Sequence, residues 1–429
     1  MGATFTNYFA LYREKFWNQS VAQLFFETDK DTSPLMAMME NKSQNTGMGR
    51  KFIVPVQYLA GSSVSADFAT AQAKAQGSTV GSSAGNTRWE VDATVQDAIA
   101  VWTRDSVDAI ENGGGADEAV NIIDMEMRSK MVTLKKRLAI AAFEGGYGRV
   151  ATITAVNASP AYIDVTTDLA NRFAEGDDLV VSLTESANVL KNSGTSIIVT
   201  AVDYDTGRIS LGSDPTAGTA WAVGDNVFQK GDRQNSATPS RIVATGMKGW
   251  VPTSAPSSTA FFGVDRTISL STLGGQRFNA TGKDHTAAFI EATEQLVKRT
   301  GTKPSHIICS TEDYAAATID RDATKIVEIS LGKYNAGFSG YNIQTSAGRI
   351  PVVPDVYCPQ GTAYVGPFSD KRYCPFMVHN RDVVNIDNKD GRDFLRLAGS
   401  ASYECRMYFR GNIVVPAPGK FAVIYNLGA

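Results

Sequence analysis

The alternation of apolar and polar residues between positions 50 and 97 predicts a β-hairpin. In the rising limb Phe52, Val54, Val56 and Tyr58 alternate with Ile53, Pro55 and Gln57; in the returning limb Trp89, Val91, Ala93 and Val95 alternate with Glu90, Asp92 and Thr94. Between the limbs, residues 62–86 read SSVSADFATAQAKAQGSTVGSSAGN, with Val64, Phe68 and Val80 as the sole sizeable apolar side chains. Ordering a backbone costs about 1–2 kcal/mol per residue, and burying an apolar side chain returns about 1.5–3 kcal/mol. This stretch cannot meet that cost alone. It is therefore expected to be mobile or to lie on a surface supplied from elsewhere, and fully extended it would reach roughly 40 Å.

Three- and four-residue spacing marks the helices. Residues 5–27 place Phe9, Tyr12, Phe16 and Leu24 at helical spacing, and with the polar stretch that follows they give an N-terminal arm over 1–49. Within a block at 98–147, residues 116–144 give the strongest pattern: Val120, Ile123, Met127, Met131, Leu134, Leu138 and Ala142 share one face. Lys135, Lys136 and Arg137 lie late, where a helix dipole favours cations, and Gly145 and Gly146 end the helix.

Residues 148–232 change character and repeat. ITAVNASPAYIDVT followed by FAEGDDLVV is echoed by VTAVDYDTGRISLG followed by WAVGDNVFQ, with an offset of 46 for Thr154/Thr200 and 48 for Gly176/Gly224. Short alternating runs with Gly, Asp and Pro turns predict an inserted small β-barrel or sandwich of two related halves. Residues 233–395 mix helix and strand: DHTAAFIEATEQLVKRTG reads as an amphipathic helix, SHIICS as a buried strand, and TEDYAAATIDR as a helix with Thr311 as its cap. RIPVVPDVYCPQGTAYVGPFSD adds two strands about a turn, and 396–429 closes with two more.

Composition narrows the function. The 429 residues are 43% hydrophobic and 20% charged, with a formal net charge of -3, and give no electrostatic footprint for a dedicated nucleic-acid binder. The longest apolar run is far short of the ~20 residues that cross a bilayer, and no signal peptide is read at the start. Cys309, Cys358, Cys374 and Cys405 are widely spaced and read as buried thiols of a reducing compartment. His285, His306 and His379 form no cluster, no nucleophile elbow occurs, and GGQRFNATGKD departs from a phosphate loop at Arg277 and Asp284. The acidic turns at 203–209 and 387–393 do not fit a calcium loop. No catalytic, cofactor or metal residue is assigned, and the chain is read as a building block.

The order of arm, hairpin, long helix ending in RLAIAAFEGG, helix followed by KPSHIICS, then GRIPVVPDVYCPQGTAYVGPFSD and RGNIVVPAPGKFAVIYN resembles the major capsid proteins of tailed bacteriophages of the Hong Kong 97 type. That resemblance implies an α+β fold with an N-terminal arm (1–49), an extended loop (50–97), a peripheral domain with its spine helix (98–147), an axial domain (233–395) and closing peripheral strands (396–429), interrupted by the β-domain at 148–232. It implies self-assembly of pentamers and hexamers into an icosahedral shell around double-stranded DNA, in a virion assembled in the host cytoplasm. Expected partners are a separate scaffolding protein, a portal and a decoration protein, with DNA touched weakly and without sequence preference.

The resemblance places Lys51, Phe52, Phe68, Lys74, Arg88 and Trp89 in intersubunit contacts, and Lys333, Tyr334, Asn335, Phe338 and Tyr341 in a loop lining an axial pore. Some relatives cross-link a loop lysine to an Asn of another subunit, and Lys74 is the lysine available. An encapsulin-like compartment shell is the alternative within this fold. From another class, a multidomain hydrolase with a β-barrel accessory module is the rival.

Overall fold

The computed structural model describes residues 33–43, 51–59, 64–76, 85–103, 116–319, 341–379, 385–386, 395–396 and 402–428. The expected helix at 5–27 lies outside them. The described residues begin with α1 (Pro34–Met38), β1 (Glu40–Ser43), β2 (Lys51–Leu59), α2 (Phe68–Gln76), β3 (Gly85–Asp92), β4 (Thr94–Thr103) and α3 (Ala116–Phe143). The inserted block holds β5 (Arg149–Thr152), β6 (Ala155–Ala158), β7 (Ala161–Asp164), α4 (Thr167–Ala170), β8 (Asp178–Ser182), β9 (Ile197–Asp203), β10 (Arg208–Leu211) and β11 (Asn226–Gln229). Then come α5 (Met247–Trp250), α6 (Leu270–Leu273), β12 (Gln276–Asn279), α7 (His285–Thr300), β13 (His306–Cys309), α8 (Thr311–Ile319), β14 (Tyr341–Thr345), β15 (Gly348–Pro354) and β16 (Thr362–Gly366). β17 (Phe376–His379), β18 (Asn385–Ile386), β19 (Leu395–Arg396), β20 (Ser402–Val414) and β21 (Ala422–Tyr425) complete a mixed α+β chain.

β20 is the centre of the first sheet. β4 runs antiparallel along it from Thr103↔Ser402 to Thr94↔Gly411, while β17, β18 and β19 take its other pairings and β1 adds parallel to β17. The returning limb of the hairpin therefore ends at Asp92, and the alternation through Val95 belongs to a different sheet. Segment 33–43 packs on this chain's own body: Leu35, Met36 and Met39 are buried in its main core, and the Asp355 carboxylate accepts from Ser33 Oγ at 3.0 Å and from the Leu35 amide at 3.2 Å.

The inserted block forms one seven-stranded sheet in the order β5-β11-β8-β9-β10-β7-β6. Its two end strands are joined by Ile153 and Thr154, so the sheet curls around its own core, yet β5 and β6 share no ladder. The repeat is built into the pairing. Ile163 faces Ile209 between β7 and β10, and Val180 faces Phe228 between β8 and β11. These pairs have the sequence offsets 46 and 48, so each sets a residue opposite its own repeat equivalent, as two halves related by a pseudo-two-fold would. The two Gly-Asp turns close identically: Asp177 Oδ2 accepts from the Ala174 amide at 2.8 Å, and Asp225 Oδ2 from the Ala222 amide at 2.6 Å. Each turn grips the other half, since Gly176 donates to Val199 and Gly224 to Ile153.

The third sheet runs β12-β21-β16-β13-β15-β14, covered by α7 through Phe289, Ala292 and Leu296. β15 and β16 do not pair with each other as a hairpin, because β13 lies between them. β21 pairs with β12 and β16, so the closing segment divides between two sheets, and Val243, Met247, Trp250, Val251, Phe261 and Val264 pack in the main core. The cap of α8 is Ser310 rather than Thr311: Ser310 Oγ accepts the Asp313 amide at 3.0 Å and donates to its carboxylate.

α3 buries Met131, Leu134, Leu138 and Ala142 and leaves Val132 exposed. Its cations do not act at the last turn. Arg137 Nη1 instead stands 3.7 Å from Asp232 Oδ1 of the inserted block.

Candidate functional site

The hairpin is rooted in this chain's own core. Trp89 is fully buried and meets Trp250 edge-on at 5.3 Å and Phe261 at 6.2 Å, while its Nε1 donates to Pro416 O. The Glu90 amide donates to Phe262 O at 2.9 Å, and Phe52 and Val91 lie in the same cluster. Below this cluster the Arg266 guanidinium covers the Phe261 ring at 4.1 Å and donates to Gly249 O and Trp250 O; burial, with Arg241 and Arg277 nearby, lowers it to about 10. Aromatic alternation thus reports attachment within the chain. Phe52 and Trp89, expected at a boundary with another subunit, are internal.

The exposed residues of the root are paired locally. Glu90 accepts from Lys51 at 3.4 Å and from Arg88 at 3.0 Å, and these hydrogen bonds, Lys51's first, hold its carboxyl below the ordinary range. Lys51 and Arg88 keep more than half of their side-chain surface in solvent, so both remain open to a further contact.

The tip is different in kind. In the stretch expected to be mobile or to lie on a surface supplied from elsewhere, residues 68–76 form a helix, which Asp67 caps: its carboxylate accepts the Thr70 amide at 2.9 Å and the Thr70 hydroxyl at 2.7 Å. Thr70's hydroxyl and amide bonds lower the Asp67 carboxyl. Alanines at 69, 71, 73 and 75 then favour helix. Val64 is 81% exposed and Phe68 79%, and Lys74 Nζ donates to Val64 O at 3.2 Å. A nine-residue helix is marginal in water without a packing partner, and this one buries almost nothing on its own chain.

A second open surface lies on β4. Thr94, Gln96, Ala100 and Trp102 turn inward, and Val95, Ile99 and Val101 are 47%, 46% and 50% exposed. Among the described residues β4 pairs on one side alone, with β20.

Of the expected pore residues, Lys333, Tyr334, Asn335 and Phe338 lie outside the described residues. Tyr341 is inside the third sheet: it is 4% exposed, its hydroxyl is 3.1 Å from Thr286 Oγ1, and its amide donates to Tyr314 OH. Its aromatic character serves the core, not a pore wall.

The inserted block is fastened by a buried charge cluster that sequence spacing did not reveal. Glu144, at the end of α3, accepts from Arg172 Nη1 at 2.7 Å and from Arg149, with Lys248 at 3.8 Å. Burial opposes ionisation of Glu144 most strongly, but Arg149, Arg172 and Lys248 together hold its carboxyl at about 2. Arg172 also donates to Val150 O within the block and to Tyr357 O outside it, so through Glu144 and Tyr357 one guanidinium joins the block to two parts of the body.

His285, Asp313 and Ser310 come together, with His285 Nε2 3.4 Å from Asp313 Oδ1. Ser310 donates to Asp313, however, and not to the imidazole, so the arrangement is a helix cap rather than an activated nucleophile. Burial pushes the Cys309 and Cys358 thiols up, the reverse of activation.

No family model matches the chain, and no curated protein matches it. Among solved structures, the chain is similar to the capsid asymmetric unit of cyanophage A-1(L), with 9% identity, a TM-score of 0.48 and 93% of each chain covered. The chain is similar to phage capsid proteins. It is also similar to the capsid of a native GTA particle (10% identity, TM-score 0.45, 92% of this chain and 90% of that one). An encapsulin complex from Synechococcus elongatus matches at 9% identity and a TM-score of 0.41, covering 98% of this chain and 95% of that one. Such scores transfer no residue role, and the site is defined by this chain's own geometry.

Proposed function

We propose that the chain is a major capsid protein, assembling through its hairpin into the icosahedral shell of a tailed phage. The observation that carries this reading is the contrast within one hairpin: a root with Trp89 at 0% exposure and a tip with Phe68 at 79%. A root fixed in the core holds the tip away from its own chain, where a marginal helix with Phe68 exposed gains stability by packing against another copy. Lys51, Phe68, Lys74 and Arg88 are the hairpin residues available to that neighbour, and the β4 stripe of Val95, Ile99 and Val101 is a receiving surface on the same grounds. The order of elements along the chain favours a phage shell enclosing DNA, with scaffolding, portal and decoration proteins as partners.

The same contacts would build an encapsulin-like compartment, and the contents of purified shells, DNA or protein, separate the two. Deletion of residues 65–82 tests the site. The account expects a subunit with unchanged circular dichroism outside the lost helix and no shells. Global unfolding, or shells formed as before, would contradict it.

A further inference from the structure

The turn beside the hairpin root has a backbone that its sequence does not favour. The Phe261 amide donates to Val264 O at 2.9 Å and the Val264 amide donates back to Phe261 O at 3.1 Å, closing a four-residue turn whose central residues, Phe262 and Gly263, have φ of +47° and +81°. That is the type I′ geometry, for which Asn-Gly is the favoured pair. Among the described residues the other non-glycine positions with positive φ carry Asn or Ser, whereas Phe262 places a bulky ring there.

Two contacts hold Phe262, one by its ring and one by its main chain. The ring stacks on Trp250 at 5.4 Å with an interplanar angle of 29°, and Trp250 is itself fixed by its Nε1, which donates to Ile413 O at 3.0 Å. The Phe262 carbonyl accepts the Glu90 amide of β3 at 2.9 Å. Among the described residues this is the one main-chain bond between the β2–β3 ladder and the body. Ten residues later, Thr272 Oγ1 donates to Tyr58 O of β2 at 3.2 Å. From Ile53, the ladder partner of Glu90, to Tyr58 is five residues along β2, so the two supports stand roughly 17 Å apart. The segment that joins them is fastened to the body: Arg266 donates to Gly249 O and Trp250 O, and Gly419 approaches so closely that an added Cβ would lie 2.3 Å from Ser271 O. Buried Trp89 and Phe52 fix where the hairpin starts. Two supports spaced along it fix its direction.

We propose that residues 261–272 form a rail that sets the direction of the hairpin, with Phe262 as the positioning residue at its inner end. The unfavourable φ lets one residue keep its ring on Trp250 and its carbonyl on Glu90. The inference rests on the shell-building role proposed above, in which the tip must meet a surface of another copy. Over the nine residues of β2, roughly 30 Å, a tilt of about 10° moves the outer end by about 5 Å, the width of one strand.

The test uses the unassembled full-length subunit, spin-labelled through Gln57→Cys and Lys371→Cys; both positions are exposed, and the four native cysteines are buried. The expected result is a label-to-label distance distribution about twofold broader in F262G than in the parent, with the parent width kept in F262Y, whose ring can still stack. T272V, at an exposed residue, broadens it as well without touching the core, and so serves even where F262G folds poorly. Parent width in T272V or in folded F262G would overturn the proposal, as would an F262Y distribution as broad as that of F262G. Melting checks the turn separately: F262A should melt below F262G, the reverse of the order at ordinary φ, and F262A at or above F262G would contradict a left-handed Phe262. All of these are measured on single subunits, so they decide the rail whether or not the wild-type chain builds shells. Where it does, F262G should lower the yield of closed particles several-fold, and closed particles at wild-type yield would overturn the aiming role.

Discussion

At the scale of the residue, two buried carboxylates with opposite shifts govern how the pieces stay attached. Glu144 has its carboxyl lowered to about 2, so its contribution is complete above the ordinary glutamate range and is lost as pH falls through about 2. Acid titration followed by hydrogen exchange at 145–150 should therefore show protection constant above about pH 5 and declining progressively from about pH 4.5 to about pH 2. Glu144→Gln should cost about 3–5 kcal/mol at neutral pH, because Arg172, at 1% side-chain exposure, loses its counter-charge; an unchanged melting temperature would count against the cluster as the fastening. Asp355 goes the other way: burial raises it to about 6 against bonds from Tyr357, Leu35 and Ser33. A raised acid contributes most below its unfolded value, and that contribution is lost as pH rises through about 6. Amide protection of residues 35–43 should fall between about pH 4 and 6, and Asp355→Asn should abolish that dependence. Neither carboxylate could be singled out from the sequence, where each is one acidic residue among 44, since what sets it apart is burial against residues 28 and 322 positions away.

At the scale of the element, the repeat gives a prediction with an internal control. Gly176 and Gly224 have φ of +87° and +90°, and nothing lies within 4 Å of an added Cβ at either. Alanine at each should therefore cost backbone strain alone, about 1–2 kcal/mol, and by nearly equal amounts. Unequal melting shifts for G176A and G224A would contradict the pseudo-two-fold relation. Elements set by local pattern were legible in the sequence: the hairpin limbs, α3, α7 and the repeated turns all follow from alternation, three- and four-residue spacing or Gly-Asp placement. Elements set by distant pairing were not. β4 reads as a continuation of β3 because the period of two runs on through Ala93, and its partner β20 lies some 300 residues later. The tip helix was missed because alanine-rich, weakly apolar sequence reads as loop until the Asp67 cap is recognised. Phe52 and Trp89 stood out as aromatic residues, but aromatic character does not tell an internal anchor from an external one.

At the scale of the molecule, the insertion and the hairpin act on a common frame. The hairpin root and the inner face of α3 share the main core with Val243, Met247, Trp250, Val251, Phe261 and Val264, and the insertion is clamped to the end of that helix through Glu144. The central claim is that this chain builds a shell through copies of itself. Electron microscopy of the purified full-length chain, alone and with co-expressed partner proteins, tests it most directly. The account predicts closed icosahedral particles with the hairpin tip seated on a neighbouring copy; a monodisperse monomer under every condition would contradict it.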